Sequence, residues 1–173
     1  MKKNIVIFGI AAVLFALLGV FFGYRQTESN KVDASVVDHL LSQSMPDISG
    51  KPQPLDQWKG RALVVNFWAT WCTPCVDEMP ELSALQSEIE PQKIQILGIG
   101  IDSATNITEF ASKYHIRYPL FVAGVSGTEL SRQFGNQAGG LPYTVLIGRD
   151  GQVKKTYLGR LKMNELKKDL ASL

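Results

Sequence analysis

The chain has 173 residues, a formal net charge of +2 and a hydrophobic fraction of 45%. This length suits one domain of ordinary size with an appendage, and the small net charge argues against a dedicated nucleic-acid-binding protein. Only two cysteines are present, Cys72 and Cys75, which excludes a framework of several structural disulfides. They form one Cys-x-x-Cys motif, which is typical of a redox pair or of half a metal site.

Residues 5–22 form an uninterrupted apolar run near the N-terminus. Its length is close to the roughly 20 residues that a helix needs to span a bilayer core. Lys2 and Lys3 precede it, so the positive-inside rule puts the N-terminus in the cytoplasm and the rest of the chain outside. A cleaved signal peptide is the alternative, but the run is long for one and lacks an A-x-A end. The sequence therefore predicts a short cytoplasmic start and a single-pass membrane anchor over residues 1–24.

The stretch 25–44 is polar at its start and is predicted to be a linker. Its second half carries apolar residues at helical spacing, which predicts a short helix packed weakly on the following domain. His39 lies in this stretch and is predicted to be solvated. The globular domain is then predicted to cover residues 45–173.

The first part of this domain contains two extended pieces, a buried strand and a long helix. The extended pieces, residues 45–48 and 52–55, flank a turn. Residues 63–68 are apolar except for Asn66, which predicts a central strand buried on both faces. A helix is predicted from Thr73 to about residue 90, with a kink at Pro80.

The cysteine motif stands at the start of that helix. The positive end of the helix dipole and its unpaired N–H groups favour a thiolate there. Pro74 fits the first helical turn, where its missing N–H is not needed. The local sequence therefore predicts a reversible dithiol/disulfide centre.

The remaining elements alternate between strands and helices. Strands are predicted at residues 94–101, 118–122, 145–147 and 153–158, and helices at residues 105–115, 126–134 and 161–173. His115, at the end of a helix, is predicted to complement the helix dipole or to be solvated.

The run at residues 65–80, Val-Asn-Phe-Trp-Ala-Thr-Trp-Cys-Thr-Pro-Cys-x-x-Glu-x-Pro, resembles the thioredoxin superfamily. It is similar, more narrowly, to the membrane-tethered TlpA-like and ResA-like thiol–disulfide oxidoreductases, and the resemblance extends from about Met45 to the C-terminus. It implies an α/β thioredoxin-like fold, a central mixed sheet flanked by helices. An N-terminal hairpin, a central βα insert and one preceding transmembrane helix are part of that expectation.

The resemblance also implies roles for the residues of the motif. Cys72 is expected to be the more exposed cysteine and the nucleophile, and Cys75 is expected to resolve the mixed disulfide. Thr73 and Pro74, between them, are expected to tune the reduction potential. Trp71 is expected to shield the disulfide and to contribute to docking.

Two further positions near the motif carry implications of the resemblance. Glu78 matches a glutamate that influences the acidity of the cysteines in ResA-like proteins, with a plain surface glutamate as the alternative. Asn66 occupies the position of a buried aspartate in cytoplasmic thioredoxins, and an amide cannot take over that proton-relay role.

The segment Gly-Gly-Leu-Pro-Tyr-Thr at residues 139–144 resembles the cis-proline loop of the superfamily. The resemblance implies a cis Leu141–Pro142 bond that faces the cysteines. It also implies that the Leu141 backbone pairs with an extended client segment as an added strand. An ordinary loop proline is the alternative. The segment differs from the Gly-Val-x-Gly-x-Pro-Glu-Thr loop common in dedicated cytochrome-maturation proteins.

The implied enzyme is a protein disulfide reductase anchored in the bacterial cytoplasmic (inner) membrane, with its catalytic domain on the periplasmic side. Its expected partners are client proteins with disulfides, such as those in cytochrome c or copper-protein maturation, and a membrane electron donor. No cofactor or metal is expected beyond the redox-active Cys72–Cys75 disulfide.

Three other functions remain open from the sequence. A disulfide oxidase or isomerase would use the same motif. A peroxiredoxin-type peroxidase would need a Pro-x-x-x-Thr-x-x-Cys pattern, which the residues ahead of Cys72 lack. A metal-binding module would need more ligands than two cysteines and two scattered histidines provide.

Overall fold

The structure, a computed structural model, describes residues 34–173. Helix α1 (Ala34–Leu41) is followed by a hairpin of β1 (Ser44–Pro46) and β2 (Pro52–Pro54) and by a 3-10 turn (Leu55–Trp58). Five strands form the main sheet: β3 (Ala62–Trp68), β4 (Ile94–Gly100), β5 (Leu120–Val122), β6 (Tyr143–Ile147) and β7 (Val153–Leu158). Four helices join or follow them: α2 (Thr73–Ile89), α3 (Ala104–Lys113), α4 (Val125–Gln133) and α5 (Met163–Leu170).

The main sheet is mixed, with the strand order β5-β4-β3-β6-β7. Strands β3, β4 and β5 are parallel, whereas β6 runs antiparallel to β3 and β7 antiparallel to β6. Phe67, near the end of β3, is therefore paired with Tyr143 at the start of β6. The loop that follows β3 and the loop that precedes β6 meet at the same edge of the sheet.

Side chains of the central strand β3 alternate between two apolar layers, as the pleat of a strand requires. Val64 and Trp68 face the layer that contains α2, α3 and α5, and Val65 and Phe67 face the layer that contains α1 and α4. Every residue of β3 is buried, which confirms the prediction of a central strand covered on both faces.

The N-terminal hairpin lies beside the edge strand β5. Asp47 forms an antiparallel bridge with Phe121, and Thr108 donates its hydroxyl to the carbonyl of Ile48 at 3.0 Å. The implied hairpin is therefore present and is joined to the sheet through its turn.

Helix α1 lies within the stretch 25–44. Val37 and Leu40 are at most 1% exposed and belong to the same apolar layer as Phe67. The packing is therefore closer than the weak contact predicted, because the apolar stripe of the helix is buried rather than resting on the surface. His39 points outward, where its Nδ1 lies 3.0 Å from Gln133 Oε1.

Most element boundaries agree with the predictions to within a few residues. Strand β5 begins at Leu120 rather than at residue 118, directly after Pro119, which has no N–H to donate to a neighbouring strand. Helix α5 is shorter than predicted and covers Met163–Leu170. Helix α2 begins at Thr73 as predicted and continues past Pro80 to Ile89.

The predicted membrane anchor, residues 1–24, and the first part of the predicted linker lie outside the described residues. Across residues 34–173, none of the helices combines the length and the apolar character needed to cross a membrane.

Candidate active site

Cys72 and Cys75 form a disulfide at the edge of the sheet where β3 ends. Cys72 is the N-cap residue of α2, and Cys75 lies in its first turn. Cys72 is 6% exposed, whereas Cys75 is 0% exposed. A reactant that approaches from solvent can therefore contact Cys72 but not Cys75.

The start of α2 directs its backbone donors toward Cys72. The Cys75 N–H donates to Cys72 Sγ at 3.3 Å, and the Val76 N–H donates to the Cys72 carbonyl at 3.0 Å. A backbone N–H and the positive end of a helix at this position favour negative charge on a cysteine sulfur. Pro74 occupies the first turn, as predicted, where no N–H is required.

The residues around the disulfide form its solvent-facing surface. Trp71 is 69% exposed, and Thr73 and Pro74 are also exposed. These three residues adjoin the two buried cysteines in the chain, and their exposed side chains are available to any protein that docks there.

The Leu141–Pro142 peptide bond is cis. Pro142 directly precedes β6, whose first residue, Tyr143, pairs with Phe67 of β3. Leu141 packs against the apolar cluster that contains Cys72 and Cys75. The antiparallel pairing of β3 and β6 thus brings the cis-proline loop to the disulfide although the two are distant in sequence.

The Leu141 backbone is unpaired within residues 34–173, where neither its N–H nor its C=O takes part in a hydrogen bond. The next carbonyl, that of Pro142, accepts the Gly159 N–H at 2.9 Å. Within the part of the chain that the structure describes, Leu141 therefore presents one unpaired donor and one unpaired acceptor at the edge of the sheet where the cysteines lie.

Glu78 lies one helical turn after Cys75 and is 0% exposed. Its Oε1 accepts a hydrogen bond of 2.8 Å from Asn66 Nδ2, and its Oε2 accepts one of 2.8 Å from the Leu161 N–H. The Asn66 amide also donates to Thr144 Oγ1 at 2.9 Å. One buried network therefore connects α2, the two central strands and the segment before α5, and Glu78 is not the surface glutamate of the alternative reading.

Burial raises the pKa of Glu78 from 4.5 to about 7. The hydrogen bonds from Leu161 and Asn66 and the positive charge of Arg160 oppose this rise, but burial outweighs them. A carboxyl group with a pKa near neutrality gains and loses a proton readily at physiological pH, which suits it to acid–base work.

Thr70 and Asp102 form a further contact at this edge of the sheet, which the sequence analysis does not predict. Asp102, just after β4, accepts hydrogen bonds from the hydroxyl and the N–H of Thr70, two residues before Cys72. It also accepts from the Ser103 N–H at 2.7 Å and from Asn106 Nδ2 at 2.8 Å. Burial tends to raise the pKa of Asp102, but these hydrogen bonds together lower it. The sequence contains one signal for this contact. Asp102 follows a strand that is parallel to β3, and the carboxyl ends of parallel strands lie at the same edge of a sheet.

The two histidines that the sequence contains play no part in this site. His115 is exposed and has a left-handed backbone conformation, with φ of 51°, just after α3. Among residues 34–173, no group of three or more His, Cys, Asp or Glu side chains is arranged to hold a metal ion.

Comparisons with known proteins agree with this geometry. The profile of the Redoxin family matches residues 38–171. The thiol-disulfide oxidoreductase ResA of Geobacillus thermodenitrificans is 28% identical over 174 residues, which cover 100% of this chain and 94% of that protein. The corresponding ResA of Bacillus cereus is 28% identical over 168 residues, which cover 96% of this chain and 95% of that protein.

A solved structure gives the same fold. The secreted Mycobacterium tuberculosis disulfide oxidoreductase homologous to E. coli DsbE superposes with a TM-score of 0.66 at 22% identity, covering 79% of this chain and 99% of that one. The expected thioredoxin-like fold, with its mixed five-stranded sheet and flanking helices, is thereby confirmed. The chain belongs to the Redoxin family and is a ResA-like thiol–disulfide oxidoreductase of the thioredoxin superfamily.

Proposed function

We propose that this oxidoreductase reduces disulfide bonds of client proteins on the outer side of the bacterial cytoplasmic membrane. Cys72 is the attacking residue and Cys75 the resolving residue. The observation that carries this assignment is the unequal burial of the two cysteine residues at the start of α2, with Cys72 at 6% and Cys75 at 0% exposure. A client can approach Cys72, while Cys75 is protected until an intramolecular step uses it.

The reaction begins from the dithiol form. The Cys72 thiolate attacks one sulfur of the client disulfide, so that a Cys72–client disulfide forms and the other client sulfur leaves as a thiolate that takes up a proton. Cys75 then loses its proton and attacks Cys72 Sγ. The second client sulfur leaves as a thiolate that also takes up a proton, and the Cys72–Cys75 disulfide remains. Two electrons pass from the enzyme to the client, and the two protons that Cys72 and Cys75 lose balance the two that the client thiolates take up.

Glu78 is proposed to accept the proton of Cys75. It lies one turn along the same helix, and its pKa of about 7 matches the task. Its two hydrogen-bond donors, Asn66 and the Leu161 N–H, hold the carboxylate in place and leave further lone pairs of its oxygens for a proton.

The client is proposed to bind as an extended segment along Leu141. The N–H and C=O of this residue, which are unpaired across residues 34–173, can each form one hydrogen bond with a client backbone, as in strand addition. Trp71, 69% exposed and next to Cys72 in the chain, offers an apolar contact to the same client. These features favour polypeptide clients over small disulfides.

The N-terminal sequence supports the proposed location on the outer side of the cytoplasmic membrane. The apolar run 5–22, preceded by Lys2 and Lys3, supports an anchor with the domain outside the cytoplasm. In that oxidising space a reductase needs continued re-reduction, and we propose a membrane protein as its electron donor. Cytochrome c or copper-protein maturation is the proposed client process.

Trapping tests the assignment of the two cysteines. Replacing Cys75 with Ala should leave clients covalently bound through Cys72, and these adducts should disappear on treatment with dithiothreitol. The matched Cys72→Ser protein should form none. Equal yields of adduct from Cys72→Ser and Cys75→Ala proteins would contradict the proposed roles.

The reduction potential tests the direction of electron flow. Equilibration of the full-length protein with thioredoxin or glutathione couples should give a value near or below that of thioredoxin, about −270 mV. A value near −120 mV, typical of a strong oxidant, would instead support the disulfide oxidase.

A further inference from the structure

The segment between α4 and the cis-proline is folded around one buried side chain, that of Asn136. This residue is 3% exposed. Its Oδ1 accepts the Gly140 N–H at 3.1 Å, and its Nδ2 donates to the Gly140 carbonyl at 2.9 Å. The side-chain amide thus pairs with both backbone groups of Gly140, as a residue of a neighbouring strand would.

Further contacts attach this arrangement to α4. Asn136 Nδ2 lies 3.3 Å from the hydroxyl of Ser131, which is 0% exposed and itself donates to the Thr128 carbonyl at 2.8 Å. The Asn136 N–H donates to the Ser131 carbonyl at 3.1 Å, and the Gly139 N–H donates to the Asn136 carbonyl at 3.0 Å. The loop is therefore closed on itself and fixed to a helix of the core.

The pairing of Asn136 with Gly140, here called the clamp, lies directly beside the proposed client-binding residue. Gly140 is the residue immediately before Leu141, whose N–H and C=O are unpaired within the described part of the chain. The clamp uses the backbone groups of Gly140 and leaves those of Leu141 free. An asparagine suits this position because its amide carries a donor and an acceptor on one planar group.

We propose that Asn136 is a positioning residue for client binding. It fixes Gly140 and thereby holds the N–H and C=O of Leu141 in position to pair with an extended client. This inference rests on the proposed function and adds a residue that the Cys-x-x-Cys and cis-proline motifs do not contain. Without the amide, both Gly140 backbone groups lose their partners and the loop loses its fixed geometry. Client binding then has to order the loop, which weakens it.

A comparison of two substrates distinguishes a role of Asn136 in client positioning from a general loss of activity. The reduced full-length protein is assayed with insulin, whose disulfides lie in a polypeptide, and with 5,5′-dithiobis(2-nitrobenzoate), a small disulfide that needs no strand pairing. For Asn136→Ala, kcat/KM toward insulin should fall about tenfold, equivalent to about 1.4 kcal/mol. The loss should lie mainly in KM, and the rate with the small disulfide should stay within about twofold of wild type.

A second variant tests the loop without touching the amide. Gly139 has φ of +65°, and a Cβ there would meet no atom closer than Thr128 Cγ2 at 3.7 Å. Gly139→Ala therefore strains the backbone without a steric clash, and it should give the same selective loss toward insulin. The matched control is Gln137→Ala, which removes an exposed hydrogen bond to the Arg132 carbonyl and should leave both rates unchanged.

The outcomes separate this inference from the proposed function. A selective loss in both loop variants supports the positioning role. Equal losses toward insulin and the small disulfide, or an unchanged insulin rate in Asn136→Ala, would overturn it while leaving the reductase assignment intact. If the wild-type protein does not reduce insulin, the proposed function itself fails, and the inference fails with it.

Discussion

Asn66 donates its side-chain amide to Glu78 Oε1 at 2.8 Å, and this bond joins the central strand β3 to the helix that carries both cysteines. Both residues are 0% exposed. A carboxyl group in this setting is expensive to ionise, so its protonation state is linked to the stability of the whole domain. The same carboxyl group lies one helical turn from Cys75. The Asn66–Glu78 contact is therefore expected to affect both the stability of the domain and the proposed proton transfer.

Replacing Glu78 with Gln should remove a pH dependence of stability. The pKa of Glu78 rises from 4.5 to about 7 on folding, so the folded state binds the proton more tightly. The associated stabilisation is present below pH 4.5 and is lost as the pH rises through about 7, with a maximum loss of about 3 kcal/mol. Urea unfolding of the oxidised wild-type and Glu78→Gln proteins from pH 4.5 to 8 measures this, and parallel stability curves would contradict it.

The Glu78→Gln substitution should also change the titration of Cys72. A carboxylate near the cysteines disfavours a thiolate, so removing its charge should lower the pKa of the Cys72 thiol. The rate of iodoacetamide alkylation as a function of pH measures that pKa. Glu129→Gln, at an exposed position on α4, is the control, and an unchanged Cys72 titration in Glu78→Gln would end the assignment of Glu78.

Replacing Asn66 with Asp should destabilise the domain chiefly at high pH. The substitution puts a second carboxyl group within hydrogen-bond distance of Glu78, and two buried carboxylates cannot both ionise without a large cost. We expect a loss of about 3 kcal/mol at pH 8 and a smaller loss at pH 5, where the two groups share a proton. Asn66→Ala is the control, since it removes the hydrogen bonds without adding a charge. A loss that is the same at both pH values would argue against the coupling.

Replacing Asp102 with Ala should destabilise the segment that leads to the cysteines and lower the free energy of unfolding of the domain. Asp102 accepts hydrogen bonds from Thr70, Ser103 and Asn106, and it is partly exposed. We expect the free energy of unfolding at pH 7 to fall by about 1–3 kcal/mol. Because the pKa of Asp102 is lowered on folding, this contribution should vanish on acidification through its folded pKa. Asp56→Ala, at an exposed position, is the matched control in urea unfolding at pH 7, and equal stabilities of the two variants would refute the role.

Replacing Trp71 with Ala should separate docking from packing. The side chain is 69% exposed, so its loss should change the free energy of unfolding by no more than about 0.5 kcal/mol. Because we expect the indole to contact the client, the rate of insulin reduction should fall several-fold. Val125→Ala, at an apolar position that is 88% exposed on α4, is the control for loss of exposed apolar surface. Equal insulin rates for the two variants would leave Trp71 without a docking role.

Several features of the site could be predicted from local sequence. The strand β3, apolar except for Asn66, and the start of α2 at Thr73 follow from short-range sequence patterns and helix-end chemistry. The position of Cys72 at a helix N-terminus follows from the same signals. The cis bond at Pro142 was implied by the family resemblance rather than by the physics of the local sequence.

Other features depend on residues that are far apart in the chain. The sequence alone does not distinguish Asn136, because an asparagine among glycines suggests a turn and its pairing with Gly140 depends on the conformation of the whole loop. The burial of Val37 and Leu40 depends on the sheet face beneath α1. Periodicity predicts which side of a helix is apolar but does not measure how closely that side will pack.

The sequence by itself determined a vicinal dithiol at the start of a helix after a buried strand, since neighbouring residues and backbone propensity suffice for that. The tertiary structure alone decided which groups surround it: the Asn66–Glu78 bond, the link from Asp102 to Thr70, and the loop at Leu141. The physical reason is that strand pairing brings these groups together across long stretches of chain. Burial then sets the pKa of Glu78, and burial is a property of the folded molecule.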